Sequence, residues 1–449
     1  MHLVIKEKQF YKTMALIAMP IVLQNMITLG VNIMDTVMLG SYGEIQISAS
    51  SLANNFIEIF HILNMGIGGG AGVLIAQYWG TGDTASIKKV IAIMFRICLL
   101  AVVIFSLAAA VFPAEIMSVY TKDAAVIEKG RIYLLVCLPA FFLQGMTLVM
   151  TLSLRAMQKV SVPFLASVIS FFVNVFFNWV FIFGKLGAPE LQIAGAALGT
   201  VIARVAETAI IGVYYFGRDR DLNLHIRDLF IPCSDQLSVF FVYGAPVILS
   251  DLLLTFGNNA VAVVMGHVGT AFVAAYSIVA PVMRLCNVLT AGLAQAAAVM
   301  TGNIVGTGDR VKAQRCGVTC FLLSIATGLV AGIVLLLICP AVITLYNVAG
   351  ETKQIAEELM YAVVVMVVFQ AIQSVLTKGV LRGGGDTRFV MIADVLFLWI
   401  LSVPLGALCG LVWMVSPFWV YCALKIDYIV KSFWCAGKLF GGKWIKQIN

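Results

Sequence analysis

From Thr13 to Gly40 the chain reads TMALIAMPIVLQNMITLGVNIMDTVMLG. Met14 to Met34 is a stretch of twenty-one residues without a charge, long enough to cross the hydrocarbon of a bilayer as a helix. The pattern then recurs along the whole chain. Apolar runs divided by short polar loops predict six helices in the first half, over 13–40, 51–79, 90–112, 131–154, 162–184 and 192–217. Six more follow in the second half, over 237–266, 271–303, 314–339, 357–381, 389–413 and 416–437. The longest polar stretch, 218–236, is rich in charge and contains Pro232. It is read as a linker between two lobes, 1–217 and 237–449.

Within the first run, Asn25, Thr28, Asn32 and Asp35 fall at i, i+3, i+7 and i+10, on one helix face. An ionisable group inside a membrane segment is costly and usually faces a bundle interior or a watery path. The stripe therefore predicts a cavity-lining helix ending in a carboxylate. The competing reading places Asp35 at the outer membrane surface. It lies 23 residues past Lys12, about 35 Å along an ideal helix.

The two halves repeat at an offset of 226 or 227 residues. Gly80-Thr81-Gly82-Asp83 returns as Gly306-Thr307-Gly308-Asp309, and Pro20 as Pro246. Pro113 and Tyr120 return as Pro340 and Tyr346, and Leu154-Arg155 as Leu381-Arg382. Several independent matches at nearly one offset mark an internal repeat. An even number of helices per half gives both halves the same orientation. That predicts a parallel repeat with the substrate path between two six-helix lobes.

Composition agrees with the pattern: 61% of the 449 residues are hydrophobic and only 11% charged, and the mean hydropathy is +1.00. A soluble chain of this size carries far more charge. The net charge of +7 needs no nucleic-acid partner, because the positive-inside rule accounts for it. With the N-terminus in the cytoplasm, Lys88, Lys89, Arg155, Lys159, Arg218, Arg220, Arg227, Arg310, Lys312, Arg315, Lys443 and Lys446 all fall on the inner side. Both termini are then cytoplasmic, and the protein is expected in the plasma (inner) membrane. Lys6, Lys8 and Lys12 precede the first run without a small-residue cleavage pattern, so a retained anchor is expected. The ten cysteines show no zinc or disulfide spacing and read as packing residues.

Asn174 and Asn178 lie one turn apart on the fifth helix, and Thr200 lies on the sixth. With Asp35 they offer one carboxylate and three neutral oxygens, a set suited to a hard monovalent cation such as Na+. The alternative is that the two asparagines serve as interhelical hydrogen-bond partners.

Twelve helices in two repeats, the QYWGTGD and NIVGTGD loops, LRGGGDTRF after the tenth helix and NVFFN in the fifth resemble the multidrug and toxic compound extrusion (MATE) transporters. The resemblance covers nearly the whole chain. It implies a secondary antiporter that exports organic cations against an inward flow of Na+ or H+, with no cofactor, acting as a monomer among membrane lipids. It also implies that Asp35, Asn174, Asn178 and Thr200, with the backbone carbonyl of Ala196, form a cation site in the N-lobe. Some members carry a second carboxylate where this chain has Asn178, which leaves Na+ and H+ both open.

In the second half the acids do not follow the repeat. Val261 stands opposite Asp35, Asp251 opposite Asn25, and Asp394 opposite Ser167. Asp251, Thr255 and Asn258 make a second polar stripe on the seventh helix. Some family members use acids of the seventh and tenth helices for a C-lobe cation site; here the tenth offers only Gln370 and Gln373 in its apolar body. Asp394, six residues past Arg388, is read either as a cavity residue or as a group near the cytoplasmic surface. Glu58 and His61 sit at i, i+3 on the second helix, and Arg284 is the repeat partner of Glu58. The two charges either pair across the cleft or pair within their own lobes.

No G-x-x-x-x-G-K-[ST] motif and no hydrolase spacing occurs, so neither an ATP-driven pump nor a membrane enzyme is supported. A lipid-linked oligosaccharide flippase of related architecture is the alternative function. It would line its cavity with Arg and Lys to hold phosphates, and Arg96, Arg284 and Lys378 leave it open.

Overall fold

A computed structural model describes residues 4–345 and 350–448; Tyr346 of the sequence repeat lies outside them. Among the described residues, eleven helices are long and apolar enough to cross a membrane. We number them α1 (Lys8–Gly40), α2 (Glu44–Thr81), α3 (Thr84–Val111), α4 (Leu138–Ala156), α5 (Ser161–Ile182), α6 (Ile193–Gly217), α7 (Ser234–Val268), α8 (Thr270–Gly306), α9 (Arg310–Leu345), α10 (Gly350–Leu381) and α11 (Thr387–Val412). The twelfth pass, α12, is two shorter helices, Pro417–Leu424 and Ile426–Phe440, broken at Lys425. All twelve expected helical runs are therefore present among the described residues, eleven of them as single long helices. Two shorter helices, Pro113–Tyr120 and Ala124–Val136, lead into α4. The α10 and α11 passes contain wider π-type turns at Val375–Leu381, Phe397–Ser402 and Leu408–Val412.

The repeated motifs explain their own residues. Pro20 and Pro246 each lie inside the first helix of a half. A proline there frees a backbone carbonyl, which membrane helices tolerate when neighbours satisfy it. In each GTGD loop the second glycine is left-handed, with φ +77° at Gly82 and +78° at Gly308, a conformation other residues adopt only with strain. The aspartate then caps the next helix: Asp83 accepts from the Ser86 N–H at 3.0 Å and Asp309 from the Lys312 N–H at 2.9 Å. The first glycine is required by close approach. A Cβ at Gly80 would lie 2.1 Å from the carbonyl oxygen of Asn303, and one at Gly306 would lie 2.0 Å from that of Gln77.

The chain forms two compact units, each continuous in space but not in sequence. The N-terminal unit holds Leu23–Ile75 and Asp83–Phe241; the C-terminal unit holds Met1–Val22, Ala76–Gly82 and Val242–Asn449. In the N-terminal unit, Phe60, Phe105 and Phe141 pack together beside Ala101 and Val102. The segment 218–236 is fastened to this unit by charge. Lys88 pairs with Asp228 at 2.8 Å, Lys89 with Asp235 at 2.5 Å, and Lys159 with Asp219 and Asp221. Burial opposes the charge on Lys159, but hydrogen bonds to the two aspartates outweigh it and hold its ammonium above the ordinary lysine value.

In the C-terminal unit, α8, α9, α10 and α12 enclose an apolar core around Ala275, Leu335, Leu359 and Tyr421. The residues after α12 turn back into it. Trp444 is fully buried and donates its indole N–H to Gln314 at 2.8 Å. The Lys446 N–H reaches the Gly384 carbonyl at 2.8 Å, and its ammonium reaches Asp386 at 2.5 Å. Gln77 accepts from the Ile448 N–H at 3.0 Å and donates to the Lys446 carbonyl at 3.2 Å. The ten cysteines are all buried and unbridged.

Candidate functional site

In the N-terminal unit three helices bring the first set of predicted residues together. Asn178 on α5 donates its amide Nδ2 to Asp35 Oδ1 on α1 at 2.5 Å, and the same nitrogen lies 3.2 Å from Asn174 Oδ1. Both asparagines are buried, whereas Asp35 is half-buried. The stripe on α1 is open in part, since Thr28 and Asn32 are exposed and Asn25 is half-buried. Thr200 on α6 turns its hydroxyl to the Ala196 carbonyl at 3.0 Å. That leaves the lone pairs of Thr200 as acceptors.

One atom of this site has no partner. Asn178 Oδ1 is buried without a hydrogen bond. It faces Gly199, where a Cβ would come within 2.1 Å of it. Gly195 and Gly199 on α6 are four residues apart, the small-xxx-small spacing that lets membrane helices meet closely. At Gly195 a Cβ would lie 2.5 Å from the backbone of Phe181 on α5. These two glycines are site residues that the sequence reading passed over, though their spacing was the signal.

The residues present fit a monovalent cation. Two candidate oxygens, Asp35 Oδ1 and Asn174 Oδ1, already converge on the positive end of an amide dipole. The guanidinium of Arg204, also on α6, is bound to Glu207 at 2.6 Å and does not occupy the place. Among the described residues no three His, Cys, Asp or Glu side chains cluster for a multivalent metal.

The C-terminal unit treats its acids differently. Arg382 holds Asp251 through two hydrogen bonds, of 2.9 and 3.2 Å. Asp394 is only 1% exposed, enclosed by protein on every side. Its two oxygens accept from Ser250 at 2.8 Å and from Lys431 at 3.3 Å. Lys431 also meets Asp427 at 2.9 Å, and Asp427 accepts from Ser402 at 2.9 Å. Asn258 accepts from the buried Lys425 at 3.0 Å. Arg382, Lys425, Asp427 and Lys431 were not singled out from sequence as partners of these groups. The i, i+4 spacing of Asp427 and Lys431 was their one local sign.

Glu58 on α2 and Arg284 on α8 are both exposed. His61 meets Gln144 at 3.0 Å.

Twelve passes, repeated loop motifs and acids held inside membrane helices define a polytopic membrane transporter. The MatE family model matches this chain twice, over residues 20–180 and 246–408, and the chain belongs to that family. It is 25% identical over 405 residues to the probable multidrug resistance protein NorM of Rhizobium meliloti (strain 1021), covering 88% of this chain and 84% of that one. It is 23% identical over 419 residues to the multidrug resistance protein NorM of Photobacterium profundum, covering 90% of each. Among solved structures it is similar to one described as the outward-facing conformation of a multidrug resistance MATE family transporter of the MOP superfamily. That likeness has a TM-score of 0.85 at 20% identity, covering 98% of this chain and 99% of that one. The family match falls on both halves, so the fold expected from the repeat is the fold observed.

Proposed function

We propose that the protein is a secondary antiporter that exports amphipathic, mainly cationic organic compounds in exchange for Na+ or H+, with Asp35 as the coupling carboxylate. The observation that carries this reading is the hydrogen bond from Asn178 Nδ2 to Asp35 Oδ1 beside the partnerless Asn178 Oδ1. An amide that donates to a carboxylate has the right polarity for the unloaded, ionised state. Binding of Na+ or H+ reverses that requirement. Neutralised Asp35 no longer needs a donor, and a bound cation or an acid O–H needs an acceptor. Turning the Asn178 amide about its Cγ presents Oδ1 in place of Nδ2 and meets the need. Asn174, Thr200 and the Ala196 carbonyl supply further oxygens for Na+. Loading thus changes what the site holds, and a driven conformational change requires such a differential affinity.

Transport is then alternating access by two lobes, 1–217 and 237–449, joined by a cytoplasmic 218–236, with both termini inside. The exposed stripe of Asn32 and Thr28 on α1 is where an organic cation would compete for Asp35, with Glu58 a second carboxylate for cationic substrates. NorM relatives described as multidrug resistance proteins support export of drugs as the task. Flipping of a lipid-linked sugar phosphate would instead rely on Arg284 and Lys378, which are exposed.

Dye efflux from everted vesicles, with Na+ and pH gradients imposed separately, tests the proposal. One gradient alone should drive efflux by the parent and fail to drive it in Asp35→Asn. Equal efflux by properly inserted Asp35→Asn would overturn the assignment.

A further inference from the structure

The C-terminal unit holds three carboxylates in its helices, the half-buried Asp251 and the buried Asp394 and Asp427, all on membrane passes. Three cations of the chain lie among them. Arg382 takes Asp251, Lys431 bridges Asp394 and Asp427, and Lys425 is within electrostatic range of Asp427 while bound to Asn258. Three negative and three positive charges balance. Isolated charges cannot be held in such surroundings, and paired ones can only where their remaining hydrogen-bonding positions are filled.

Lys431 differs from the other two cations. Arg382 makes a two-pronged pair with one carboxylate, and Lys425 sits over the ring of Tyr428, 5.4 Å from its centroid. The ammonium of Lys431 is instead held by two carboxylates from different helices, at 2.9 and 3.3 Å. Each of those carboxylates also accepts a serine hydroxyl, from Ser250 of α7 for Asp394 and from Ser402 of α11 for Asp427. Lys431 and its two acids are at most 2% exposed. A compact, monovalent ammonium ion fits these oxygens, and the chain supplies it on its own tether.

We propose that Asp394 and Asp427, with Ser250 and Ser402 behind them, form a monovalent-cation site whose permanent occupant is the ammonium of Lys431. The C-terminal unit is then always loaded, and the coupling ion enters at Asp35 alone. This rests on the antiport reading for its functional meaning, but the occupancy itself is testable without transport. Lys431 is a positioning residue here: it sets which half of the molecule can respond to an ion.

Removing the ammonium leaves one uncompensated negative charge, so the vacated site should accept one small monovalent cation. The test uses full-length protein carrying Asp35→Asn, which silences the other site. Lys431→Ala is made in this background and purified in ammonium chloride. Thermal unfolding is then compared in ammonium, methylammonium, potassium, sodium and choline chlorides at equal ionic strength. Lys431→Ala should unfold several degrees higher in at least one of the small cations than in choline, because a ligand bound only to the folded state raises its midpoint. The Lys431-containing parent should show no such difference. Asp394→Asn combined with Lys431→Met keeps the charges balanced and should be as indifferent as the parent. Loss of folding in choline with recovery in ammonium also supports the site. A folded Lys431→Ala that is indifferent to all five salts would overturn it. So would equal cation dependence in the charge-balanced double variant, which would place the cation elsewhere.

Discussion

Asp35 and Asp394 both lie within membrane helices, yet they keep opposite company. Asp35 is half-buried and is met by a neutral amide, that of Asn178. Asp394 is fully buried and is met by an ammonium and a hydroxyl. The same contrast appears at the repeated Leu-Arg pairs. Arg155 donates to the neutral Gln24 at 2.6 Å, while Arg382 donates to the ionised Asp251. Gln24 and Arg155 stand 227 residues before Asp251 and Arg382 respectively, so the clamp matches Asp251 with Gln24 rather than with its neighbour Asn25. One scaffold thus carries the same clamp in an uncharged and a charged form. A repeat preserves backbone paths and close approaches more strictly than it preserves charge, and a difference in charge lets two similar halves do different work.

The largest expected effect tests the half-buried carboxylate. Asp35→Asn should insert and fold normally and lose gradient-driven dye efflux, measured against the parent at equal membrane content. Next comes the clamp. Arg382→Met strands the half-buried carboxylate of Asp251 without its cation and should cost about 3 kcal/mol of stability. Arg155→Met removes a donor from the neutral Gln24 and should cost about 1–3 kcal/mol. Unfolding of both variants in one detergent compares them directly, and equal losses would break the contrast. Gly199→Ala places a methyl against Asn178 Oδ1 and blocks the amide from settling. It should raise the ion concentration for half-maximal efflux several-fold while leaving efflux at saturating ion nearly intact. Lys159→Met comes last: its ammonium is shared between the exposed Asp221 and the buried Asp219, and Asp219 keeps the Asp221 N–H as a donor, so the loss should be about 1–2 kcal/mol. Its sign is fixed by the raised pKa of Lys159. The contribution is fully present below the ordinary lysine value and is lost as pH rises through the higher folded value. The stability difference between parent and variant should therefore vanish in strongly alkaline buffer.

Much of this was legible in the chain. Long apolar runs marked the passes because hydrocarbon forces backbone groups to pair within a helix, and Gly82, Asp83, Gly308 and Asp309 marked turns that chemistry confines to few residue types. Asp35 and Asn178 were legible together because helical spacing aligned each with other polar groups. The partners of Asp251 and Asp394 were not. Arg382 lies 131 residues from Asp251, and Lys431 lies 37 from Asp394, and no local period links them. The break at Lys425 carries neither Pro nor Gly, and the π-type turns of α10 and α11 leave no pattern in hydropathy.

The segment that follows α12 bears on how the molecule is made. Gln77 is made long before Lys446 and Ile448, yet its side chain is completed by their backbone. That contact closes over 371 residues. Trp444 likewise fills its place beside Gln314 only after the helices that precede it have been made. Contacts of such long range form late and slowly, because loop closure must be met before they stabilise anything. Gly308, Gly384 and Gly385 therefore stay uncovered on this side until residues 444–448 have been made. A chain stalled before Trp444 would lack these contacts even with the preceding helices formed.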